Sequence, residues 1–207
     1  MTLMNHKAGE KCLLEVSRIL ANLELPFFLM QGTALGAYRD KGFVPTERDI
    51  DLGVMYEDMA KLDIGDVLRW FVAHGFDIEC FTMPFEHPRT IVLFKEYAGK
   101  LAKVDIVSWH IAPDDKRRFN CCPIRNYIHK PYAIVHDRKL LENQRSIELF
   151  GRKFNIPSDI ETYLLREYGE QWKTPLDDHV SRTRVYDFLV KEKIDSGYLS
   201  HAKHRTG

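Results

Sequence analysis

The stretch that decides the fold is residues 27–55, which read FFLMQGTALGAYRDKGFVPTERDIDLGVM. Its first part belongs to an apolar and aromatic run over 26–31, which predicts a buried strand. Its last part, residues 49–55, predicts a second strand, in which successive side chains point to opposite faces. Asp49 and Asp51 therefore share one face of that strand, and the apolar residues between and after them face the core. We expect both carboxylates to point away from the core.

Beyond this stretch, helical and strand-like patterns follow one another. Apolar residues spaced three and four apart predict amphipathic helices, and apolar runs bounded by turn residues predict strands. The predicted elements are helices at 9–22 and 63–74, strands at 76–81, 90–94, 102–109, 119–122 and 134–137, and helices at 159–168 and 178–193. This order predicts an α+β fold with a mixed sheet. Ser158, with Glu161 three residues later, is expected to cap the helix at 159–168.

Composition excludes several classes of protein. The chain has 207 residues, of which 44% are hydrophobic, and this is enough for one core. Thirty basic residues balance thirty acidic ones, so no overall charge attracts nucleic acid. The apolar stretches fall far short of the ~20 residues that a membrane helix needs, and the amino terminus does not resemble a signal peptide. We expect no transmembrane segment and a cytoplasmic location.

Three aspartates are candidates for a metal site. Asp49 and Asp51 lie two apart in one strand, and a magnesium or manganese ion would relieve their mutual repulsion while binding substrate phosphates. The alternative is a pair of acids on a solvent-facing strand. Asp105 lies within the apolar strand at 102–109, where an unpaired charge is costly. It is either a third carboxylate of the site, able to bind metal or act as a base, or one half of a salt bridge to Lys103 or Arg89.

Phosphate-binding candidates surround the short helical segment that follows the first strand. Gly32 and Thr33 open this segment, and their backbone N–H groups and the threonine hydroxyl can cradle a phosphate. The alternative is a helix cap with nothing bound. Arg39, Lys41 and Arg48 flank the same region and can neutralise phosphate oxygens, unless they are solvated surface charges. The sequence contains neither a P-loop motif nor a dinucleotide-binding glycine motif.

Taken together, residues 31–45 (QGTALGAYRDKGFVP) and 49–53 (DIDLG) resemble the opening motif of the LicD and fukutin family. Residues 150–157 (FGRKFNIP), Tyr163-Leu164 and residues 168–175 (YGEQWKTP) resemble its closing motif. The resemblance covers about residues 27–175. It implies a fold of the polymerase-beta-like nucleotidyltransferase superfamily with a C-terminal helical segment. We therefore expect a nucleotidyltransferase core at 1–157, C-terminal helices packed on it at 158–194 and a flexible tail at 195–207.

The resemblance also implies a chemistry. Members of the family move a phosphorylated alcohol, such as phosphocholine or ribitol phosphate, from a CDP-linked donor to a sugar or glycan. By matching positions, Gly32 and Thr33 would bind phosphate, Asp49 and Asp51 would bind Mg2+ or Mn2+, and Asp105 would be the third carboxylate. Two hypotheses stay open beside it. One is nucleotidyl transfer with release of pyrophosphate, and the other is a non-catalytic nucleotide or sugar-phosphate binding module.

Two positions depart from the family pattern. Many members have a tryptophan after the proline and an acidic residue directly before the metal pair, where this chain has Thr46 and Arg48. Arg48 can pair with Glu47, neutralise the acids in place of a metal, or reach a donor phosphate. The sequence leaves these roles, and the identity of the donor, open.

Overall fold

The fold is organised around one long strand, β5 (Lys100–Ile111), in a computed structural model that describes residues 2–81, 90–111, 118–121, 132–175 and 191–193. On one side β5 pairs in parallel with β2 (Ile50–Met55). On the other side it pairs antiparallel with β4 (Thr90–Tyr97), which in turn pairs with β3 (Asp77–Phe81). Parallel and antiparallel pairs share one sheet, so the predicted α+β fold with a mixed sheet is confirmed.

The other strands extend this sheet at both ends. β1 (Phe27–Leu29) lies antiparallel to β2, and β6 (Arg118–Cys121) pairs with the last two residues of β5. β6 is followed in the sheet by β7 (Tyr132–Asp137) and β10 (Lys191–Lys193). A separate hairpin is formed by β8 (Gln144–Leu149) and β9 (Arg152–Pro157). The first β-strand pair, β1 and β2, carries the stretch from which the fold was predicted.

The helices cover the sheet and connect its strands. The longer ones are α1 (His6–Asn22), α4 (Ile64–Ala73) and α6 (Ile160–Tyr168). The shorter ones are α2 (Gln31–Leu35) with the π-helical turn that continues it (Gly36–Asp40), α3 (Tyr56–Met59), α5 (Arg138–Glu142) and a 3-10 helix (Glu170–Lys173). No helix among the described residues combines the length and the apolar character that crossing a bilayer requires.

The core lies on one face of β2 and β5. Ile50, Leu52 and Val104 are completely buried there, and α1 packs across β4 and β5. Asp51 and Asp105 are directly paired in the parallel register, so both lie on the opposite face. The alternation read from the sequence therefore holds, and the carboxylates point away from the face that α1 covers.

Three local predictions need correction or lie outside the described residues. The cap of α6 is Asp159, whose Oδ1 accepts a hydrogen bond from Thr162 N at 3.1 Å, and not Ser158. The amide of Ser158 pairs instead with the carbonyl of Asn143, at the end of the hairpin. The predicted helix at 178–193 is wrong at its end, because Lys191–Lys193 pair with β7 as a strand. Residues 176–190 and the predicted tail lie outside the described residues.

Candidate functional site

The site begins where the chain leaves the sheet after β1 and enters α2. Gln31 starts α2 with φ of 46°, a left-handed conformation that is unfavourable for a residue with a side chain. Its amide donates a hydrogen bond to the hydroxyl of Tyr163 at 2.9 Å. Thr33 is completely buried, and its hydroxyl accepts a hydrogen bond from Asp51 N at 2.9 Å. These two contacts tie α2 to α6 on one side and to β2 on the other.

Three carboxylates converge beside this turn and form what we call the acidic cluster, Glu47, Asp49 and Asp51. One oxygen from each residue lies within 4.8 Å of one from each of the others. Asp51 extends from β2 and is only 9% exposed. Glu47 comes from the loop before β2, and its Oε1 accepts a hydrogen bond from the amide of Arg48 at 3.3 Å. The predicted pair of aspartates is thus joined by a glutamate.

Lys103 connects the acidic cluster to Asp105 on the neighbouring strand. Its Nζ lies 2.7 Å from Asp49 Oδ2 and 2.8 Å from Asp105 Oδ2. All three side chains are mostly buried, with exposed fractions of 16% for Lys103, 23% for Asp49 and 22% for Asp105. The salt bridge to Lys103, one of the two alternatives for Asp105, is therefore present. The parallel register also pairs Asp105 with Asp51, which brings the predicted third carboxylate close to the predicted pair.

The electrostatics of the site reflect an excess of negative charge. Burial raises the pKa of Glu47 to about 7, and the charge of Asp49 adds to this effect. Burial also raises the pKa of Asp51 well above its ordinary value, with further contributions from Asp49, Glu47 and Asp105. Burial alone would lower the pKa of Lys103, but Asp105 and Asp49 outweigh it and raise the pKa. One ammonium thus faces four carboxylates.

The closing motif of the sequence reaches the same region. Burial raises the pKa of Tyr168, the last residue of α6, and the charges of Glu167, Glu47 and Asp51 contribute to the increase. The phenol therefore lies within electrostatic reach of the acidic cluster and stays protonated. Tyr163 lies earlier on the same helix, and its hydroxyl accepts the hydrogen bond from the amide of Gln31 at the start of α2. The two motifs that are distant in sequence meet at the site.

The predicted phosphate-binding residues Gly32 and Arg48 lie beside the acidic cluster. Gly32 lies directly against Glu47, since a Cβ on Gly32 would overlap the Glu47 carboxylate. Arg48 is half-buried beside Glu47 and contacts it through its backbone amide.

Arg39 and Lys41 are engaged with their own surroundings. The Arg39 guanidinium binds both oxygens of Asp40, at 2.7 and 2.8 Å, and the carbonyl of Trp172 at 2.9 Å. Lys41 is exposed and donates to the carbonyl of Tyr38 at 2.9 Å. Their phosphate-binding roles, like those of Gly32, Thr33 and Arg48, stay predictions.

Two residues of the site were not among the predicted ones. From the sequence, Glu47 is predicted only as a partner of Arg48, because it lies outside the strand whose period sets the direction of Asp51. Lys103 was considered only as a salt-bridge partner of Asp105. Its contact with Asp49 depends on the pairing of β2 with β5, which the sequence does not specify.

The donor set fits a hard divalent cation. The acidic cluster offers three carboxylate oxygens close together, which are the ligands that Mg2+ and Mn2+ prefer. Burial raises the pKa values of Glu47 and Asp51 most, and repulsion from the neighbouring carboxylates adds to the increase. A cation bound between them would remove this repulsion, and the residues present therefore fit the predicted metal.

The chain is similar to known proteins over most of its length. The family model described as LicD/FKTN/FKRP, nucleotidyltransferase domain, matches residues 24–159. Ribitol-5-phosphate transferase FKTN of Mus musculus is 25% identical and that of Homo sapiens 36% identical, each over 174 residues. These alignments cover 82% of this chain but 34% of each relative, so the chain spans about a third of the length of the curated relatives it matches.

A solved structure, that of an antigenic nucleotidyltransferase-like protein from Paracoccidioides brasiliensis, matches with 14% identity and a TM-score of 0.48. The match covers 90% of this chain and 78% of that one. The resemblance read from the opening and closing motifs is confirmed by the family model, which matches more than half of the chain. This chain therefore belongs to the LicD/FKTN/FKRP family, and the match comprises the family's nucleotidyltransferase domain.

Proposed function

We propose that this chain is a metal-dependent transferase domain that moves a phosphorylated alcohol from a CDP-linked donor to a sugar or glycan hydroxyl. The observation that carries the proposal is the acidic cluster, three carboxylates within 4.8 Å of one another beside the opening motif. The relatives named ribitol-5-phosphate transferase support the choice of transferred group. Ribitol phosphate is therefore the first alcohol phosphate to test.

In this proposal Glu47, Asp49 and Asp51 hold Mg2+ or Mn2+, so that Glu47 rather than Asp105 is the third ligand. The bound cation would neutralise charge on the donor diphosphate and on the leaving CMP. Thr33 fixes the backbone of β2 at Asp51 through its buried hydroxyl. Gly32 leaves room for the Glu47 carboxylate to approach α2. The chain thus preorganises the acids before the donor arrives.

The transfer itself exchanges one phosphorus–oxygen bond for another. The acceptor hydroxyl oxygen attacks the phosphorus that carries the alcohol, and the bond from that phosphorus to the CMP oxygen breaks. Asp105 is proposed to orient this hydroxyl or accept its proton, and the hydrogen bond from Lys103 fixes the orientation of its carboxylate. Arg48 is proposed to contact a donor phosphate, because it flanks the acidic cluster and is half-buried.

Ligand-dependent thermal stability tests the proposal. CDP-ribitol, CDP-choline and CMP would be added with Mn2+ and again with EDTA, since a ligand at 100 times its Kd stabilises a protein by about 2.7 kcal/mol. We expect a shift that is selective for a cytidine nucleotide and is lost in EDTA and in Asp51→Asn. Asp58→Asn, which changes an aspartate on α3 that is paired with Lys61, is the matched control and should behave as the wild type. Equal shifts with and without EDTA would favour the non-catalytic binding module.

Product analysis separates the two kinds of transfer. With a donor labelled in both the nucleoside and the alcohol, phosphoryl-alcohol transfer places the alcohol label on the acceptor and the nucleoside label in CMP. Nucleotidyl transfer would instead place the nucleoside label on the acceptor. The first pattern is the expected one, and the second would replace the proposal with nucleotidyl transfer on the same fold.

A further inference from the structure

Lys103 carries a positive charge into the centre of the site. Its ammonium lies 2.7 Å from Asp49 Oδ2 and 2.8 Å from Asp105 Oδ2, and the side chain is 16% exposed. Both contacts are short and charge-assisted, which makes them strong for hydrogen bonds. The ammonium thus links β5, which carries Lys103 and Asp105, to Asp49, which directly precedes β2.

A second cation beside the acidic cluster would need carboxylates on two sides, and this ammonium has them. Sites that bind two metal ions place the ions about 3.5–4 Å apart. A carboxylate between the two ions can contact both of them. Asp49 has this shared position here, since it is a member of the acidic cluster and also contacts Lys103. Asp105 makes the second contact with the Lys103 ammonium. A cation between Asp49 and Asp105 is thus already supplied by the chain.

We propose that Lys103 is the built-in second cation of this site, so that the site takes one divalent ion, at the acidic cluster, and not two. The proposal rests on the proposed function in one respect, that the acidic cluster binds a divalent cation. Lys103 then acts as a positioning residue, which offsets the repulsion between the carboxylates of Asp49 and Asp105 and holds both in place. Asp105 is its anchor and not a metal ligand.

Counting bound Mn2+ tests this proposal without measuring activity. The purified chain is titrated with Mn2+ alone, and free Mn2+ is followed by electron paramagnetic resonance. The wild type should bind one Mn2+ per chain, and Lys103→Met, which empties the position between Asp49 and Asp105, should bind two. The matched control is Lys95→Met on β4, because Lys95 also forms a 2.7 Å ion pair, with Glu15, and is similarly buried at 21% exposed. This control should bind one ion.

A double variant completes the design. Lys103→Met with Asp105→Asn removes the second position as well as the ammonium, and its count should return to one. A wild-type count of two, or a folded Lys103→Met that still binds one ion, would overturn the proposal and leave the proposed function intact. A wild-type count of zero would overturn both. The wild-type count alone decides between one and two ions if Lys103→Met does not fold.

Discussion

Replacing Glu47 with glutamine removes one negative charge from the acidic cluster and keeps the size of the side chain. The pKa of Glu47 is about 7 in the folded chain, against an ordinary value of 4.5. Because the folded pKa is the higher one, ionisation of Glu47 costs stability, and this cost is absent below about pH 4.5 and complete above about pH 7. Each pKa unit corresponds to about 1.4 kcal/mol, so the cost reaches up to about 3 kcal/mol of unfolding free energy.

Glu47→Gln should therefore be more stable than the wild type at pH 8 in EDTA, by about 1–3 kcal/mol. Its Oε1 can still accept the hydrogen bond from Arg48 N, so this contact is retained. The gain should shrink as the pH falls from 7 towards 4.5. Urea unfolding at pH 5, 6, 7 and 8 measures it, and the exposed Glu148→Gln on β8 is the control, which should change stability little at any pH.

The same variant should respond less to metal. Mn2+ is expected to stabilise the wild type at pH 8, because it offsets the repulsion between ionised carboxylates, and to stabilise Glu47→Gln clearly less. A Glu47→Gln variant less stable than the wild type at pH 8 in EDTA would show that ionisation of Glu47 does not destabilise the folded chain. A gain of equal size at every pH would contradict the prediction as well, since titration of Glu47 would then not be the source of the gain.

Two further predictions concern how the site is supported. Gly53→Ala should lower the free energy of unfolding by about 1–3 kcal/mol, because a Cβ there would overlap the Phe28 ring. A Cβ on Gly42 would meet only the Asp40 carbonyl oxygen, at an ordinary contact distance of 3.9 Å, so Gly42→Ala should change stability little. Thermal unfolding of both variants checks this, and equal effects would contradict it. Tyr163→Phe leaves the amide of Gln31 without its 2.9 Å acceptor and should lower the free energy of unfolding, measured in urea, by about 1–3 kcal/mol. In a double variant, Gln31→Gly should partly offset this loss, because glycine removes the left-handed strain. A Tyr163→Phe variant as stable as the wild type would contradict the prediction.

The parts of the fold that depend on local alternation could be predicted from the sequence. β2 and the outward direction of Asp51 follow from a period of two, which a strand imposes on its own residues. Asp49 was predicted as the first residue of this strand, but the strand begins one residue later, at Ile50. The place of Asp105 near these aspartates depends on strand order, because it follows from the parallel register of β2 and β5. A propensity or a period cannot supply this register, because it is a contact between segments more than fifty residues apart.

The contributions of Glu47 and Lys103 show where sequence reasoning ends. Glu47 precedes β2 in a loop, so no strand period fixes its direction, and its place is set by the open side of Gly32. Lys103 lies in a predicted strand and Asp105 lies two residues further along it, but its other partner, Asp49, comes from a segment distant in sequence.

The errors near the carboxyl end have similar causes. The cap of α6 shifted by one residue because the amide of Ser158 pairs with the hairpin. The charged residues Lys191–Lys193 form a strand only because β7 provides a partner. Both outcomes are decided by neighbours that are distant in sequence.

We propose that the acidic cluster is the catalytic centre of a phosphoryl-alcohol transferase. Release of CMP from CDP-ribitol, measured with Mg2+ over a panel of alditol and sugar acceptors, tests it most directly in the wild type, Asp51→Asn and Asp58→Asn. We expect CMP release to be equally fast in the wild type and Asp58→Asn, and at least about 100-fold slower in a folded Asp51→Asn. CMP release that is as fast in Asp51→Asn, or as fast in EDTA, would contradict it.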